Sequence, residues 1–137
     1  MFDLTIVTPT KKLVHNKPME EVFVPGNRGE LNILPGHSPL VTTLTEGVLR
    51  YRLKGDSKEH NVAISWGYCE ITPKGVNIMA ETAETPEEID LSRAKEALEK
   101  SEKALQSADL TPADIEKQQR KGFRAQARIQ VAESTKH

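Results

Sequence analysis

Gly47-Val48-Leu49-Arg50-Tyr51-Arg52-Leu53-Lys54 alternates: Leu49, Tyr51 and Leu53 fall on one side, Arg50, Arg52 and Lys54 on the other. A period of two with one apolar face marks a half-buried β-strand. The pattern recurs in both directions, in Phe2, Leu4 and Ile6, in Val62, Ile64 and Trp66, and in Val76, Ile78 and Ala80. Short apolar runs at Val22-Phe23-Val24 and Leu31-Asn32-Ile33-Leu34 add to the set. Turn formers separate these runs, at Pro25-Gly26-Asn27-Arg28-Gly29, Gly55-Asp56-Ser57 and Pro73-Lys74-Gly75. Many short strands at this spacing predict an antiparallel sandwich or flattened barrel over residues 1–85.

Past residue 85 the composition changes. Thirteen of the sixteen Gly and Pro residues and five of the six aromatics precede it, whereas residues 86–137 are rich in Ala, Glu, Lys, Arg and Gln, with Phe123 as their one aromatic. The period changes too. Leu91, Ala94, Leu98, Ser101, Leu105 and Ala108 are spaced by three and four, as are Ile115, Gln118, Gly122, Ala125, Ile129 and Ala132. Each series is one stripe of a helix. Between them, Thr111 stands as N-cap and Pro112 as first helical residue. Two helices on so short a link pack antiparallel. Their small, polar stripes allow close approach and bury little, so the hairpin is weakly self-supporting and suited to detachment. Residues 86–109 carry four basic and seven acidic side chains, and residues 113–137 six basic and three acidic, which favours the pairing.

The chain has 137 residues, enough for one ordinary domain or a small domain with an appendage. Nineteen Lys and Arg against twenty Asp and Glu leave a net charge of −1, which removes the bulk electrostatic case for nucleic acid or an anionic membrane surface. The single cysteine, Cys69, excludes an internal disulfide. No apolar run approaches the roughly 20 residues that span a bilayer. The start at Met1-Phe2-Asp3-Leu4 lacks a basic segment and a cleavage site, so no signal peptide is expected.

No catalytic set emerges. His15, His37, His60 and His137 lie far apart without metal-ligand spacing. Cys69 sits in a strand-like stretch and is expected to pack. Neither a phosphate loop nor a nucleophile elbow is present. Two regions carry other possibilities. Gly29 to Leu40 mixes apolar Leu31, Ile33 and Leu34 with turn formers, and reads either as a tight corner of a β domain or as a docking loop with Glu30 and His37 as polar handles. Arg120, Arg124 and Arg128 form one stripe. A hairpin turning near 109–110 sets Arg93 level with residue 126, so that Arg93, Arg124 and Arg128 converge near Asp90. Such a cluster suits phosphate oxygens, or is a solvated face paired with Glu96 or Glu99.

Taken in order, these segments resemble the epsilon subunit family of the bacterial F-type ATP synthase (delta in mitochondrial naming). The resemblance spans essentially the whole chain. It rests on Phe2-Asp3-Leu4-Thr5-Ile6-Val7-Thr8-Pro9, on the stretch from Gly29-Glu30-Leu31 to Pro35-Gly36-His37-Ser38-Pro39-Leu40, and on Gly47-Val48-Leu49-Arg50. Ser65-Trp66-Gly67-Tyr68-Cys69-Glu70-Ile71, Val76 to Glu84 and the Ile89-Asp90-Leu91-Ser92-Arg93-Ala94 box complete it.

The resemblance implies an α+β chain: a ten-stranded antiparallel β sandwich over 1–85 and a helical hairpin over 86–137. It implies a non-catalytic subunit of the rotating central stalk, peripheral on the cytoplasmic face of the bacterial inner membrane in the F1 sector. The sandwich is expected to contact the gamma subunit and the c-ring, with Glu30, Leu31 and His37 as contact residues. The hairpin either folds on the sandwich or extends toward the alpha and beta subunits to inhibit ATP hydrolysis, with Arg120, Lys121, Arg124 and Arg128 as the inhibitory basic face. No cofactor is required, and ATP is expected as a regulatory ligand of the folded hairpin. The matching positions are Ile89, Asp90, Arg93, Ala94, Arg124 and Arg128, with Glu84 matched by spacing. Lys100 and Lys117 stand where ATP-binding relatives carry Arg, which points to weak binding. The alternative is a free-standing nucleotide-sensing β module.

Overall fold

The computed structural model describes residues 2–134, and Met1 and residues 135–137, with the His137 considered above, lie outside the described residues. Nine strands lead the chain: β1 (Asp3–Val7), β2 (Lys12–Gly26), β3 (Gly29–Ile33), β4 (Leu40–Leu44), β5 (Gly47–Leu53), β6 (His60–Ile64), β7 (Gly67–Thr72), β8 (Gly75–Ala80) and β9 (Ala83–Glu84). A 3-10 turn at Pro86–Glu88 leads into α1 (Leu91–Ala104) and α2 (Pro112–Glu133). Among the described residues no helix is long and apolar enough to cross a membrane.

Strand order is β1-β8-β7-β4-β2-β5-β6-β9, with β3 on β2, and the sheet folds back on itself because β1 also pairs with β2. The described residues thus hold nine strands where ten are expected. The 15-residue β2 does the work of two: its first half pairs with β1, its second with β5 and β3. Irregular register opposite Leu4–Ile6 and at Met19–Glu21 bends it between the layers. Asn16 sits at the first bend with φ 48°, and Thr5 Oγ1 accepts its N–H at 3.0 Å. One pairing departs from the antiparallel expectation: β1 runs parallel to β8, with Asp3 opposite Gly75 and Val7 opposite Met79. That approach needs glycine, since at Gly75 (φ 151°) a Cβ would stand 2.0 Å from the Asp3 carbonyl oxygen.

The alternating residues fill one core. Leu4, Ile6, Leu49, Val62, Ile64, Val76 and Ile78 are all buried, as is Cys69. Trp66 is the exception in its series, at 56% exposed. Strand β6 stops at Ile64, and the chain turns at Ser65, whose N–H donates to Thr82 O at 3.2 Å.

Helix α2 starts at the predicted cap, and α1 starts at a cap that the sequence reading did not name. Asp90 accepts the Arg93 N–H at 3.1 Å, and Thr111 accepts the Asp114 N–H at 3.1 Å, with Pro112 as first helical residue. The apolar stripes are only half used. On α1, Ala94 and Ser101 are buried, while Leu105 lies past the helix end and is 36% exposed. On α2, Gly122 and Ala125 are buried, and so are Ala127 and Val131, which the single stripe omits. Ala127 and Val131 form a small second core with Ala63, Val48 and Ile89, which seats α2 on the β5–β6 face.

Candidate functional site

Where β9 ends, the chain must turn from sheet to helix, and that turn builds a cleft. Thr85 and Glu88 close a capping box around the 3-10 turn, Ile89 tucks into the small core, and Asp90 caps α1. Helix α2 passes behind with Arg128. The resulting cleft, of about 290 Å³, is lined by Glu84, Glu88, Ile89, Asp90, Arg93, Ala94, Ala97 and Arg128. The structure therefore brings together six of the seven positions considered for ATP: Glu84, Ile89, Asp90, Arg93, Ala94 and Arg128.

Its polar groups are mostly committed. Arg128 Nε donates to Glu84 Oε1 at 2.7 Å, with both side chains largely covered at 30% and 25% exposure. Lys11 Nζ reaches both Glu88 oxygens, at 2.8 and 2.9 Å. The Lys11 hydrogen bond, followed by that of the Thr85 N–H, holds the Glu88 carboxyl down to about 2. Asp90 is occupied with the helix N-terminus. Among the described residues Arg93 makes no ion pair, so it is the cation most available to an incoming anion.

Arg124 departs from the expected cluster. An added Cβ at Gly122 would meet Ser101 Oγ at 3.1 Å, so these residues face each other across the hairpin. Counting outward equally along both helices sets Arg93 level with residue 130 rather than 126. Arg128 is the nearer cation, and Arg124 lies a turn too far down. It lines another cleft, of about 370 Å³, with Glu46, Ala113, Glu116, Lys117, Arg120 and Lys121. Its Nε is buried without a hydrogen-bond partner among the described residues. Arg120, Lys121 and Arg124 thus share one surface, and Arg128 belongs to the other cleft. Neither Lys100 nor Lys117 lines the Arg93 cleft. Of the carboxylates expected as ion-pair partners, Glu99 is engaged by Lys103 at 3.1 Å, and the Arg120 partner is Glu116 at 3.4 Å.

The Gly29–Leu40 stretch divides between β3, an exposed loop and β4. Glu30 is tied to Arg50, whose Nη2 donates to its oxygens at 3.0 and 3.1 Å, and Arg50 in turn lies 4.1 Å over the Phe23 ring. Leu31 packs partly on the core. His37 Nδ1 is 2.8 Å from Ser38 O. Glu30 and Leu31 line the groove between β3 and β4, and His37 stands apart from it. What this end presents outward is apolar: Leu34, Leu40 and Val41 are 49%, 40% and 66% exposed.

Sequence reasoning passed over Glu88, Ala97 and Lys11. Thr85-x-x-Glu88 carries a readable capping signal, whereas Lys11 lies 77 positions from Glu88 and meets it only through the fold.

Residues 1–86 match the family model described as "ATP synthase, Delta/Epsilon chain, beta-sandwich domain", and residues 87–133 match "ATP synthase, Delta/Epsilon chain, long alpha-helix domain". An ATP synthase epsilon chain of Bdellovibrio bacteriovorus is 50% identical over 130 residues, covering 95% of this chain and 93% of its own. One from Koribacter versatilis is 47% identical over 107 residues, covering 78% and 73%. A chain of the Euglena gracilis mitochondrial ATP synthase, from an OSCP/F1/c-ring assembly, superposes with a TM-score of 0.79 at 26% identity, over 99% of this chain and 81% of that one. A Tetrahymena thermophila mitochondrial ATP synthase chain shares the fold at 13% identity and a TM-score of 0.67, over 96% of both.

Proposed function

This chain belongs to the ATP synthase delta/epsilon family, and from that membership we propose that it is a non-catalytic central-stalk subunit which joins the gamma rotor to the c-ring and restrains ATP hydrolysis through its helical hairpin. The similar Euglena gracilis chain comes from an assembly that contains F1 and the c-ring, which supports the same partners here. The stalk places the subunit at the cytoplasmic face of the bacterial inner membrane, held there by its partners.

The observation that carries the regulatory part is how lightly the hairpin is seated. Ala127 and Val131 meet the sheet at Ala63 and Val48 beside Ile89, with the Glu84–Arg128 ion pair alongside. Burying a valine contributes roughly 1.5–3 kcal/mol and an alanine less, so the helices are held by only a few kcal/mol. Partner surfaces of ordinary quality compete with that. Once α2 leaves, Arg128 joins Arg120, Lys121 and Arg124 as a basic face for acidic groups of the alpha and beta subunits.

Nucleotide opposes this. ATP in the Arg93 cleft, with phosphates on Arg93 and Arg128 and the base near Ile89 and Ala94, bridges α1, α2 and the sheet. It stabilises the folded hairpin by its differential affinity for that state. Because Arg124 is displaced, binding is expected near the millimolar end, roughly −4 to −6 kcal/mol.

Deleting residues 86–137 in the assembled complex tests the division of labour. Assembly and ATP synthesis should persist while ATP hydrolysis rises. Loss of assembly, or unchanged hydrolysis both in the truncation and after neutralising Arg120, Lys121, Arg124 and Arg128, sinks the proposal.

A further inference from the structure

The Arg93 cleft already holds an anion of its own. Glu84 sits on the two-residue strand β9 at the edge of the sheet, next to β6. Its carboxylate occupies Arg128 at 2.7 Å, in a pair more than two-thirds covered on both sides. Among the described residues this is the ion pair that joins α2 to the sheet. The remaining acidic groups of the cleft are engaged elsewhere, Glu88 by Lys11 and Thr85, and Asp90 by the start of α1. Glu84 is therefore the one carboxylate of the cleft committed to a guanidinium that lines it.

We infer that Glu84 is a built-in competitor for the phosphate position: it latches the hairpin to the sheet when the cleft is empty, and an incoming polyphosphate must take the Arg128 Nε from it to engage the guanidinium side-on. Two physical points carry this. Glu84 holds the Arg128 Nε at 2.7 Å, so a phosphate that takes the side-on, two-point contact through Nε must displace it, and one that leaves Glu84 in place is confined to the Nη groups. Before exchange, Glu84, Glu88 and Asp90 balance Arg93, Arg128 and the Lys11 ammonium on Glu88, so the cleft exerts no net pull on a multiply charged anion until Glu84 turns away. The exchange keeps α2 tied down throughout, first through Glu84 and then through the ligand's bridge to Arg93. A folded hairpin is thus the resting state with or without ligand, and the ligand changes its lifetime rather than creating it.

The inference rests on the nucleotide reading for its second half only. The test uses the isolated full-length chain, with amide hydrogen exchange across residues 112–133 and calorimetry with ATP. In Glu84→Gln, exchange in the second half of α2 without nucleotide should quicken about three- to tenfold, because a neutral amide replaces a charge-assisted partner. The same variant should bind ATP about tenfold more tightly, since Arg128 no longer has to be released. The swapped pair Glu84→Arg with Arg128→Glu should restore slow exchange and lose ATP binding, which a purely steric role for either side chain would not produce. Unchanged exchange in Glu84→Gln overturns the latch. ATP affinity equal to or below that of the unsubstituted chain overturns the competition. If neither protein gives heat at several millimolar ATP, the nucleotide reading and the competition fall together, and exchange alone decides the latch.

Discussion

At Glu88 one carboxylate closes the capping box on Thr85 and accepts Lys11 Nζ from the β1–β2 connection, which ties the start of the helical part to the first turn of the sheet. Its acid is held down to about 2 from an ordinary 4.5, chiefly by the Lys11 hydrogen bond. A lowered folded value means that the pair's contribution is complete above about 4.5 and is lost as pH falls toward 2. Thermal melts should therefore separate the unsubstituted chain from Lys11→Met above that window and converge within it. The gap is small, about 0.5 kcal/mol, because both side chains are partly in water. A gap that persists unchanged at the acid end contradicts the assignment. Cys69 behaves as its setting in the sequence suggests: burial pushes the thiol up to about 12, so it is inert packing. Glu30 shows the reverse case. In the sequence it is an acidic residue in a loop-like stretch, and in the fold it is spoken for by Arg50, a partner 20 residues away.

Between elements, the hairpin register separates expectation from result. Periodicity shows which residues line a helix, and the Thr111-Pro112 signal marks where α2 starts. Neither says how far one helix slides past the other. Ser101 is three residues from the end of α1, whereas the Gly122 facing it is ten beyond Pro112, so α2 runs past α1 by roughly two turns. That slide separates Arg124 from Arg93. The contact at Gly122 sets the spacing, and Gly122→Leu should force the helices apart, expose Ser101 and weaken the hairpin by about 1–3 kcal/mol. Gly122→Ala should be near neutral, the helix-propensity gain of about 1 kcal/mol offsetting the 3.1 Å approach to Ser101 Oγ. Val131→Ala removes buried carbons at roughly 0.8 kcal/mol each and should loosen α2 from the sheet by about 1.6 kcal/mol. Hydrogen exchange resolved along α2 checks all three, and equal protection in Gly122→Leu and Gly122→Ala would remove the contact from the account.

The molecule as a whole has one large core and one small one. The sheet encloses Leu4, Ile6, Ile33, Leu49, Ile71 and Ile78 with no solvent exposure above a few percent, while the second cluster is two alanines and a valine with two half-buried neighbours. Heating should release the helices before the sheet. The single Trp66 shares a groove with Arg120 and Phe123 of α2, so its emission should change when the hairpin leaves, ahead of the cooperative loss of strand signal. Coincident transitions would show that the two cores melt as one. The alternation in the first part and the three-and-four spacing in the second are local consequences of strand and helix geometry, so the sequence alone determined two architectures, their order and the Thr111-Pro112 start of α2. Glu84, Ile89, Asp90, Arg93 and Ala94, which the family resemblance picked out, all line the cleft because they lie close together in the chain between the end of β9 and the first turn of α1. The long β2 that serves two layers, the parallel β1–β8 pairing, the outward turn of Trp66 and the choice of Arg128 over Arg124 were decided by tertiary structure. Each depends on where distant elements come to rest against one another, and a contact between residues far apart in the chain has no local periodicity to announce it.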